Sequence, residues 1–250
     1  MINNWETQEE KIEIGKAKLV LADSTKIQWK RTKDEKALVI LDPPYDEWRK
    51  ADIYRGVEAE TKIAFCSPQS RHETEKALGK PKTELVWYFK DGRWVSNNLP
   101  RITHNYIYVY GETGDAFVGE RQETNPQKKG YGAIGKDGKE ELGERIYVPN
   151  EHKQLNSVLE FPRNMRYFGA WGKPQNMFYR LIKWINPDVV IDPYMGSGSI
   201  GLATLLLDKK YIGIEINEEV YRLAVETIED SQRQVDMFRG QITICNSDNI

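Results

Sequence analysis

One short stretch of this chain carries side chains whose types and spacing suit chemistry on a nitrogen atom. Asp42-Pro43-Pro44-Tyr45 follows the apolar run ALVIL. The two prolines fix the backbone and remove N–H donors, which leaves a carboxylate, rigidly held carbonyls and an aromatic ring. We interpret this set as a site for a planar group with an exocyclic amine, which donates to Asp42 and to the Pro43 carbonyl while the group stacks on Tyr45. Accepting both hydrogens returns lone-pair density to a nitrogen that is otherwise a poor nucleophile.

A second stretch, DPYMGSGSIG, has the spacing of a cofactor turn. Gly196, Gly198 and Gly201 form G-x-G-x-x-G after the apolar run DVVID, and Glu215 ends the next apolar run. Glycines let the backbone approach a ligand closely, and a carboxylate at the end of the second strand can accept hydrogen bonds from ribose hydroxyls. This order predicts a nucleoside cofactor site. An NAD-dependent oxidoreductase is the alternative from another class, but the sequence offers no convincing acid or base for hydride transfer.

Asp192 distinguishes NAD from other nucleoside cofactors. It stands directly before the glycines, where a pyrophosphate would gain nothing from a carboxylate and a cationic amino group is favoured. S-adenosylmethionine has such a group and no phosphate, and its sulfonium gives up a methyl group readily once it is aligned. Positioning and electrostatics then carry most of the catalysis. On this interpretation Gly201 is a helix-packing glycine rather than the third member of a dinucleotide fingerprint.

The composition excludes several other classes of protein. The 250 residues have a formal net charge of −2, with 30% charged and 39% hydrophobic residues. No apolar run approaches the ~18 residues of a membrane span, and the acidic, polar N-terminus is unlike a secretory signal. Two distant cysteines and three histidines lack metal-ligand spacing. We therefore expect no membrane association, no disulfide and no metal site, which fits a cytoplasmic protein.

The chain alternates predicted strands with predicted helices. Nearly continuous apolar runs predict buried strands at residues 18–22, 37–42, 61–66, 83–89, 105–111, 188–192, 211–216 and 241–245. Helices are predicted at residues 47–60, 71–78, 198–207 and 218–237. This alternation implies an α/β fold with a doubly wound, mostly parallel sheet. We expect one domain over residues 1–250.

A loop-rich insertion interrupts the pattern at residues 112–153. It contains many glycines, several lysines and little periodicity, and short hairpins are compatible with it. Ordered loops of this length are usually functional, and its lysines would suit phosphate contact. A solvated or disordered surface loop is the alternative.

Together these segments resemble the S-adenosylmethionine-dependent DNA amino-methyltransferases. More narrowly they look like the permuted beta group, in which the DPPY segment precedes the cofactor segment; here they lie at 42–45 and 192–199. The resemblance implies a seven-stranded, Rossmann-like methyltransferase sheet and double-stranded DNA as partner. The chain departs from the family pattern at Tyr194 (usually Phe), at Ser199 (usually Thr) and at Ala170-Trp171-Gly172, where His-Pro often precedes Lys-Pro.

The resemblance also implies roles for individual residues. Gly196, Ser197 and Gly198 would line the methionine end of the cofactor, Asp192 would lie near its amino group, and Glu215 would hold the ribose hydroxyls. The full set assigned to the cofactor is Asp23, Lys173, Pro174, Asp192, Tyr194, Gly196, Ser197, Gly198 and Glu215.

Two acids compete for the cofactor adenine. Asp23 is similar to the acidic residue that the family places there, and its spacing to DPPY is short. Asp248 competes because residues 241–248 look like the strand after the Glu215 helix. We favour Asp23. Lys173 and Pro174 match the Lys-Pro element before the cofactor helix, and the insertion takes the place of the target-recognition region.

The expected activity is methylation of an exocyclic amine of a flipped base, with Asp42, Pro43, Pro44 and Tyr45 as the catalytic segment. DPPY favours adenine N6 over cytosine N4, because the cytosine enzymes lean to Ser at its first position. RNA or protein amide methylation is an alternative, as is a catalytically silent DNA-binding module. A companion restriction nuclease and a monomeric or homodimeric state are both left open. Arg101 and His104 are further candidates for contact with the DNA backbone.

Overall fold

The structure is a computed structural model of the chain. It describes residues 10–27, 34–43, 59–114, 127–134, 140–147, 155–163, 166–167, 170–171 and 173–247. Of these, it describes the side chains outside 127–147, 166–171 and 234–247. The chain divides into two compact units, one of residues 1–114 with 156–250 and one of residues 115–155.

The elements alternate in the way that the apolar runs predict. The strands are β1 (Glu10–Ile14), β2 (Ala17–Leu21), β3 (Ala37–Leu41), β4 (Thr61–Cys66), β5 (Thr83–Arg93), β6 (Ile102–Gly111), β7 (Gln127–Ile134), β8 (Glu140–Tyr147), β9 (Val158–Glu160), β10 (Arg166–Tyr167), β11 (Ala170–Trp171), β12 (Val189–Asp192) and β13 (Lys210–Glu215). The helices are α1 (Arg71–Leu78), α2 (Gln175–Ile185), α3 (Ser199–Leu206) and α4 (Glu218–Ser247).

Among the described residues of the larger unit, nine strands form one sheet in the order β1-β2-β13-β12-β3-β4-β6-β5-β9. β6 is antiparallel to both of its neighbours and β1 is antiparallel to β2, whereas the other pairs are parallel. The doubly wound, mostly parallel α/β class is therefore confirmed. The sheet has two strands more than the expected seven, because β1 folds back on β2 through Gly15 (φ +56°) and the short β9 extends the opposite edge.

The strand order reverses between β12 and β3. From β12 the chain continues through α3 to β13 on one side, whereas β3 is followed by β4 on the other. In open α/β sheets ligands bind at such a switch point, outside the carboxyl ends of the strands. We call this edge the carboxyl edge; it is the edge at which β2, β13, β12, β3, β4 and β5 end.

The core explains why the central strands are apolar throughout. All five residues of β3 are buried, since helices or loops cover both of its faces. Helix α2 buries six of its residues, and its Phe178 meets Phe65 of β4 edge to face at 5.5 Å between ring centroids. The helix ends at Asn186, which adopts a left-handed conformation (φ 49°).

The C-terminal segment contradicts one prediction. Residues 241–245 were predicted to be a strand, yet they belong to helix α4, which runs from Glu218 to Ser247. The place beside β13 is taken by β2, which pairs with it over five residues. The run QITIC therefore finds no strand partner on that side of β13, and the helix continues. Asp248 and most of the predicted helix at 47–60 lie outside the described residues.

The smaller unit contains an antiparallel hairpin formed by β7 and β8, in register from Gln127 with Tyr147 to Ile134 with Glu140. It lies inside the predicted insertion at 112–153. Within the part of the chain that the structure describes, no helix combines the length and apolar character needed to cross a membrane.

Candidate active site

The turn after β12 has the backbone that its glycines predict. Gly196 (φ +55°) and Gly198 (φ +86°) both adopt the left-handed conformation that glycine tolerates best. The Met195 N–H donates to the Ile214 carbonyl at 2.8 Å, and the Gly196 N–H donates to Glu215 Oε2 at 2.9 Å. The turn is therefore fastened to the end of β13.

Glu215 joins two turns with one carboxylate. Besides the bond from Gly196, its Oε1 accepts from the N–H groups of Ile216 at 3.0 Å and Asn217 at 2.9 Å. An ionised carboxylate offers about four acceptor positions. Glu215 can therefore hold its local backbone and still accept hydrogen bonds from a ligand.

Asp192 is completely buried beneath the turn. Its Oδ2 accepts from the Tyr211 hydroxyl at 2.8 Å, and its Oδ1 accepts from the Tyr194 N–H at 3.2 Å. Burial raises the pKa of Asp192 to about 7; the charges of Asp42 and Glu215 act in the same direction, against the two hydrogen bonds. The described contacts make Asp192 a brace for the turn, and its expected contact with a cofactor amino group stays a prediction.

Asp42 lies at the end of β3, beside β12. Its Oδ2 forms an ion pair with Lys173 Nζ, and the exposed fractions of the two side chains are 20% and 10%. Lys173 Nζ also lies 5.2 Å from the centroid of the Phe65 ring. The structure thus brings Lys173, expected at the cofactor, onto the carboxylate of Asp42, which the sequence predicts to be catalytic. Pro43 is buried, whereas Pro44 and Tyr45 lie outside the described residues.

Asp23 follows β2 at the carboxyl edge, next to the end of β13 that carries Glu215. The Ala22 N–H donates to the Glu215 carbonyl at 2.9 Å, which holds the ends of β2 and β13 together. Asp23 Oδ1 accepts from the N–H of Thr25 at 3.0 Å and from its hydroxyl at 2.7 Å. These bonds, chiefly the one from the hydroxyl, hold the pKa of Asp23 below its usual value. Because β2 is the strand beside β13, the topology favours Asp23 over Asp248 as the acid predicted to lie near the cofactor adenine.

The remaining residues of the two motifs begin helices. Pro174 is buried and occupies the N-cap of α2, and Gly198 occupies the N-cap of α3. A Cβ built on Gly201 would lie 2.7 Å from Tyr211 Cε1, so this glycine lets α3 pack on β13. That contact agrees with the predicted packing role of Gly201.

Two residues of this region, Tyr211 and Ile216, were not singled out by the sequence analysis. Tyr211 was read as strand core, but its hydroxyl bonds to Asp192. Ile216 is 67% exposed although it directly follows Glu215. The position of a large apolar side chain directly after Glu215, at the end of a strand, could have marked Ile216 as a candidate ligand contact.

Comparison with known protein families identifies the class. A family model described as DNA methylase matches residues 69–226, which is more than half of the chain. The chain therefore belongs to this family of DNA methylases.

Individual relatives agree with this class over part of their length. Type II methyltransferase M.BglI of Bacillus subtilis is 22% identical over 177 residues, covering 68% of this chain and 45% of that protein. DNA adenine methyltransferase YhdJ of Escherichia coli K12 is 33% identical over 88 residues, covering 32% of this chain and 30% of that protein. The chain thus spans less than half the length of these curated relatives.

Two solved structures share the fold. A crystal structure of the M1.HpyAVI-SAM complex has a TM-score of 0.56 at 17% identity, covering 84% of this chain and 99% of that chain. The PvuII DNA methyltransferase, described as cytosine-N4-specific, has a TM-score of 0.57 at 11% identity, covering 88% of this chain and 92% of that chain.

Proposed function

We propose that this protein transfers a methyl group from S-adenosylmethionine to the exocyclic amine of a base in double-stranded DNA, with adenine N6 favoured over cytosine N4. The observation that carries the proposal is the position of Asp42. Its carboxylate stands at the switch point, on the strand next to the glycine turn, in a chain of the DNA methylase family.

The glycine turn suits a cationic nucleoside cofactor. Asp42 and Glu215 lie close enough to Asp192 to raise its pKa, and this grouping of acidic side chains favours an ammonium and a sulfonium over a pyrophosphate. Apart from Gly196 and its two chain neighbours, the nearest atom among the described residues to a Cβ built on Gly196 is the Tyr194 carbonyl oxygen, 3.9 Å away. Space therefore adjoins the glycine on the side where a ligand would lie. When bound, S-adenosylmethionine supplies an electrophilic methyl group.

Each residue of the cofactor half takes a separate part in binding. Glu215 accepts the ribose hydroxyls with the capacity that its backbone bonds leave, and Asp23 lies near the adenine. The exposed Ile216 covers one face of the adenine. Asp192 acts mainly through the turn that it braces, and Ser197 with its flanking glycines lines the methionine end.

In the catalytic half, Asp42 activates the target amine. Its Oδ2 is engaged by Lys173, and its Oδ1 accepts one hydrogen of the amine while the Pro43 carbonyl accepts the other. Lys173 is thus a positioning residue that keeps the carboxylate aimed at the amine. Pro44 and Tyr45 complete the segment, and the target base leaves the duplex to reach it.

The order of the two motifs supports assignment to the permuted beta group, and the insertion supports a place for target recognition. DPPY precedes the cofactor turn, as in the permuted beta group, and residues 112–153 take the place of target recognition. The hairpin of β7 and β8 lies inside this segment.

The test is to express the protein in a bacterial host that lacks DNA methylation and to map modified bases by single-molecule sequencing. We expect N6-methyladenine at one short sequence motif, and none with Asp42→Ala. N4-methylcytosine would transfer the proposal to cytosine. Unmodified DNA from cells that contain folded protein able to bind S-adenosylmethionine would refute DNA as the substrate.

A further inference from the structure

The hairpin between β5 and β6 projects from the carboxyl edge. β6 is antiparallel to β4 and β5, so the connection at residues 94–101 lies at the edge where Asp42 and the glycine turn lie. Tyr106 of β6 pairs with Cys66, the last residue of β4, and β6 begins four residues earlier at Ile102. Four strand residues extend about 13 Å. We call residues 90–102 the carboxyl-edge ribbon.

The ribbon stands close to the proposed active site. β6 is separated from β3 by β4 alone, which corresponds to about 10 Å across the sheet. Arg93 donates to Gln69 Oε1 at 2.6 Å, and Gln69 belongs to the turn that follows β4. This bond ties the base of the ribbon to the carboxyl edge.

The ribbon exposes apolar and cationic side chains together. Trp94 is 64% exposed and Leu99 is 60% exposed. Arg93 and Arg101 flank this pair, and Arg101 is exposed. A Cβ built on Gly92 would lie 2.8 Å from the Arg101 Cβ, so Gly92 leaves room for the Arg101 stem to cross the ribbon. A projecting tryptophan beside two arginines is more typical of a binding surface than of a solvated loop.

We propose that the carboxyl-edge ribbon is a DNA-binding element that enters a groove of the duplex beside the target base. Arg93 and Arg101 contact phosphates, and Trp94 with Leu99 packs against the sugars and base edges. The inference rests on the proposed function, because it takes duplex DNA as the substrate.

Three observations favour DNA over a protein partner as the occupant. The arginines are complementary to phosphates. The major groove, about 12 Å wide, admits a two-stranded ribbon. The ribbon also stands about one groove width from Asp42, where a duplex must lie if its base is to reach that carboxylate. It belongs to the larger unit and is not part of the smaller unit of residues 115–155.

The arginines are tested on the full chain with a fluorescently labelled, mixed-sequence duplex, by anisotropy over a series of salt concentrations. In Arg93→Gln/Arg101→Gln we expect binding at least about 10-fold weaker, and a slope of log K against log salt that is smaller in magnitude by about 2, one per lost phosphate contact. The matched control is Lys80→Gln/Lys82→Gln. It removes the same charge from exposed positions that precede β5, at the opposite end of that strand.

The tryptophan is tested separately. Trp94→Ala should weaken duplex binding about 10-fold with little change in the salt slope, because it removes stacking and apolar contact rather than charge. Trp94→Phe should retain most of the affinity. Leu206→Ala, which truncates an apolar side chain that is 55% exposed at the end of α3, is the control. Melting temperature and calorimetric binding of S-adenosylmethionine should stay at wild-type values in every variant.

The outcomes separate this inference from the proposed function. If both ribbon variants bind duplex as tightly as their controls do, the ribbon proposal is wrong, even where methyl transfer to DNA is found. If the ribbon variants lose duplex binding while the wild-type protein methylates no DNA, the ribbon is confirmed as a DNA-binding element and the proposed methyl transfer to DNA is wrong. Ribbon variants that change the sedimentation mass but leave duplex affinity intact would identify a protein contact instead and overturn the proposal.

Discussion

The two halves of the carboxyl edge are held in different ways. After β12, the glycine turn is secured by short-range bonds between neighbouring segments, chiefly to Glu215, Ile214 and the buried Asp192. After β3, the Asp42 carboxylate is held by an ion pair with Lys173, which lies 131 residues away in the sequence. The proposed cofactor half is therefore organised by bonds between backbone and side chains within residues 192–217, whereas the proposed catalytic half depends on a side chain from a distant segment.

This difference predicts that the two functions separate under mutation. Changes in the cofactor half should alter the affinity for S-adenosylmethionine, and changes around Asp42 should alter the rate of methyl transfer. Substitutions of Asp42, Glu215 and Lys173 test that separation, and a substitution of Asp192 tests how the turn of the cofactor half is stabilised.

The largest effect is expected for Asp42→Asn. The amide keeps the shape of the side chain but presents an N–H where the target amine needs an acceptor, so kcat should fall about 10³-fold. The Kd for S-adenosylmethionine should change less than about threefold. Transfer of tritiated methyl groups to DNA measures the rate, and calorimetry measures the binding. A loss of cofactor affinity that matched the loss of rate would show that the two halves are not separate.

The next effect is expected for Glu215→Gln, which should weaken cofactor binding and leave the rate of methyl transfer largely unchanged. The substitution weakens the carboxylate bonds to Gly196, Ile216 and Asn217 and the bonds to a ribose, so the Kd for S-adenosylmethionine should rise about 30-fold. At saturating cofactor, kcat should recover to within about threefold of wild type. The matched control is Glu219→Gln, an exposed carboxylate in the first turn of α4. A kcat that stays low at saturation would assign Glu215 to the chemical step.

A moderate effect is expected for Lys173→Met. Without its cation, Asp42 loses the bond that aims it, so kcat should fall about 10-fold while the KM for S-adenosylmethionine stays nearly constant. Lys173→Arg should restore most of the rate, because the charge and donors remain. Steady-state kinetics at varied cofactor concentration distinguishes the two roles. A raised KM with unchanged kcat would return Lys173 to the cofactor site that the sequence predicted.

The last expected effect is on folding stability rather than on activity, and it concerns Asp192. With its pKa raised to about 7 from an ordinary value of 3.8, folded Asp192 retains a proton that the unfolded chain has already released between those values. Its contribution to stability is therefore complete below about pH 4 and is lost as the pH rises to about 7.

Asp192→Asn should remove this dependence. The free energy of unfolding of the wild type, measured by urea titration, should fall relative to that of the variant as the pH rises from about 4 to about 7. Asp91→Asn, which changes an exposed carboxylate, is the control and should run parallel to the wild type. Parallel curves for Asp192→Asn as well would contradict a raised pKa in the folded protein.

Local patterns anticipated much of the fold. β4 and α1 match their predicted bounds, and most other strands match to within a few residues, because continuous apolar runs bounded by polar residues suit buried strands. The failure at 241–245 has a tertiary cause. A short apolar run becomes a strand only where a neighbouring strand offers unpaired hydrogen-bonding groups, and β2 already occupies that side of β13.

The sequence by itself indicated the proposed reaction and the residue types that would carry it. A sequence pattern was enough to find DPPY, the glycine turn and Glu215, because the backbone conformation of such motifs depends on local residues. Prolines remove donors, and glycines permit a left-handed turn. Tertiary structure alone decided how those groups are used. It bonded the buried Asp192 to the Tyr211 hydroxyl, brought Lys173 to Asp42 and placed β2 beside β13. Each of these outcomes joins distant segments whose approach depends on how the whole sheet is ordered, and no local pattern records it.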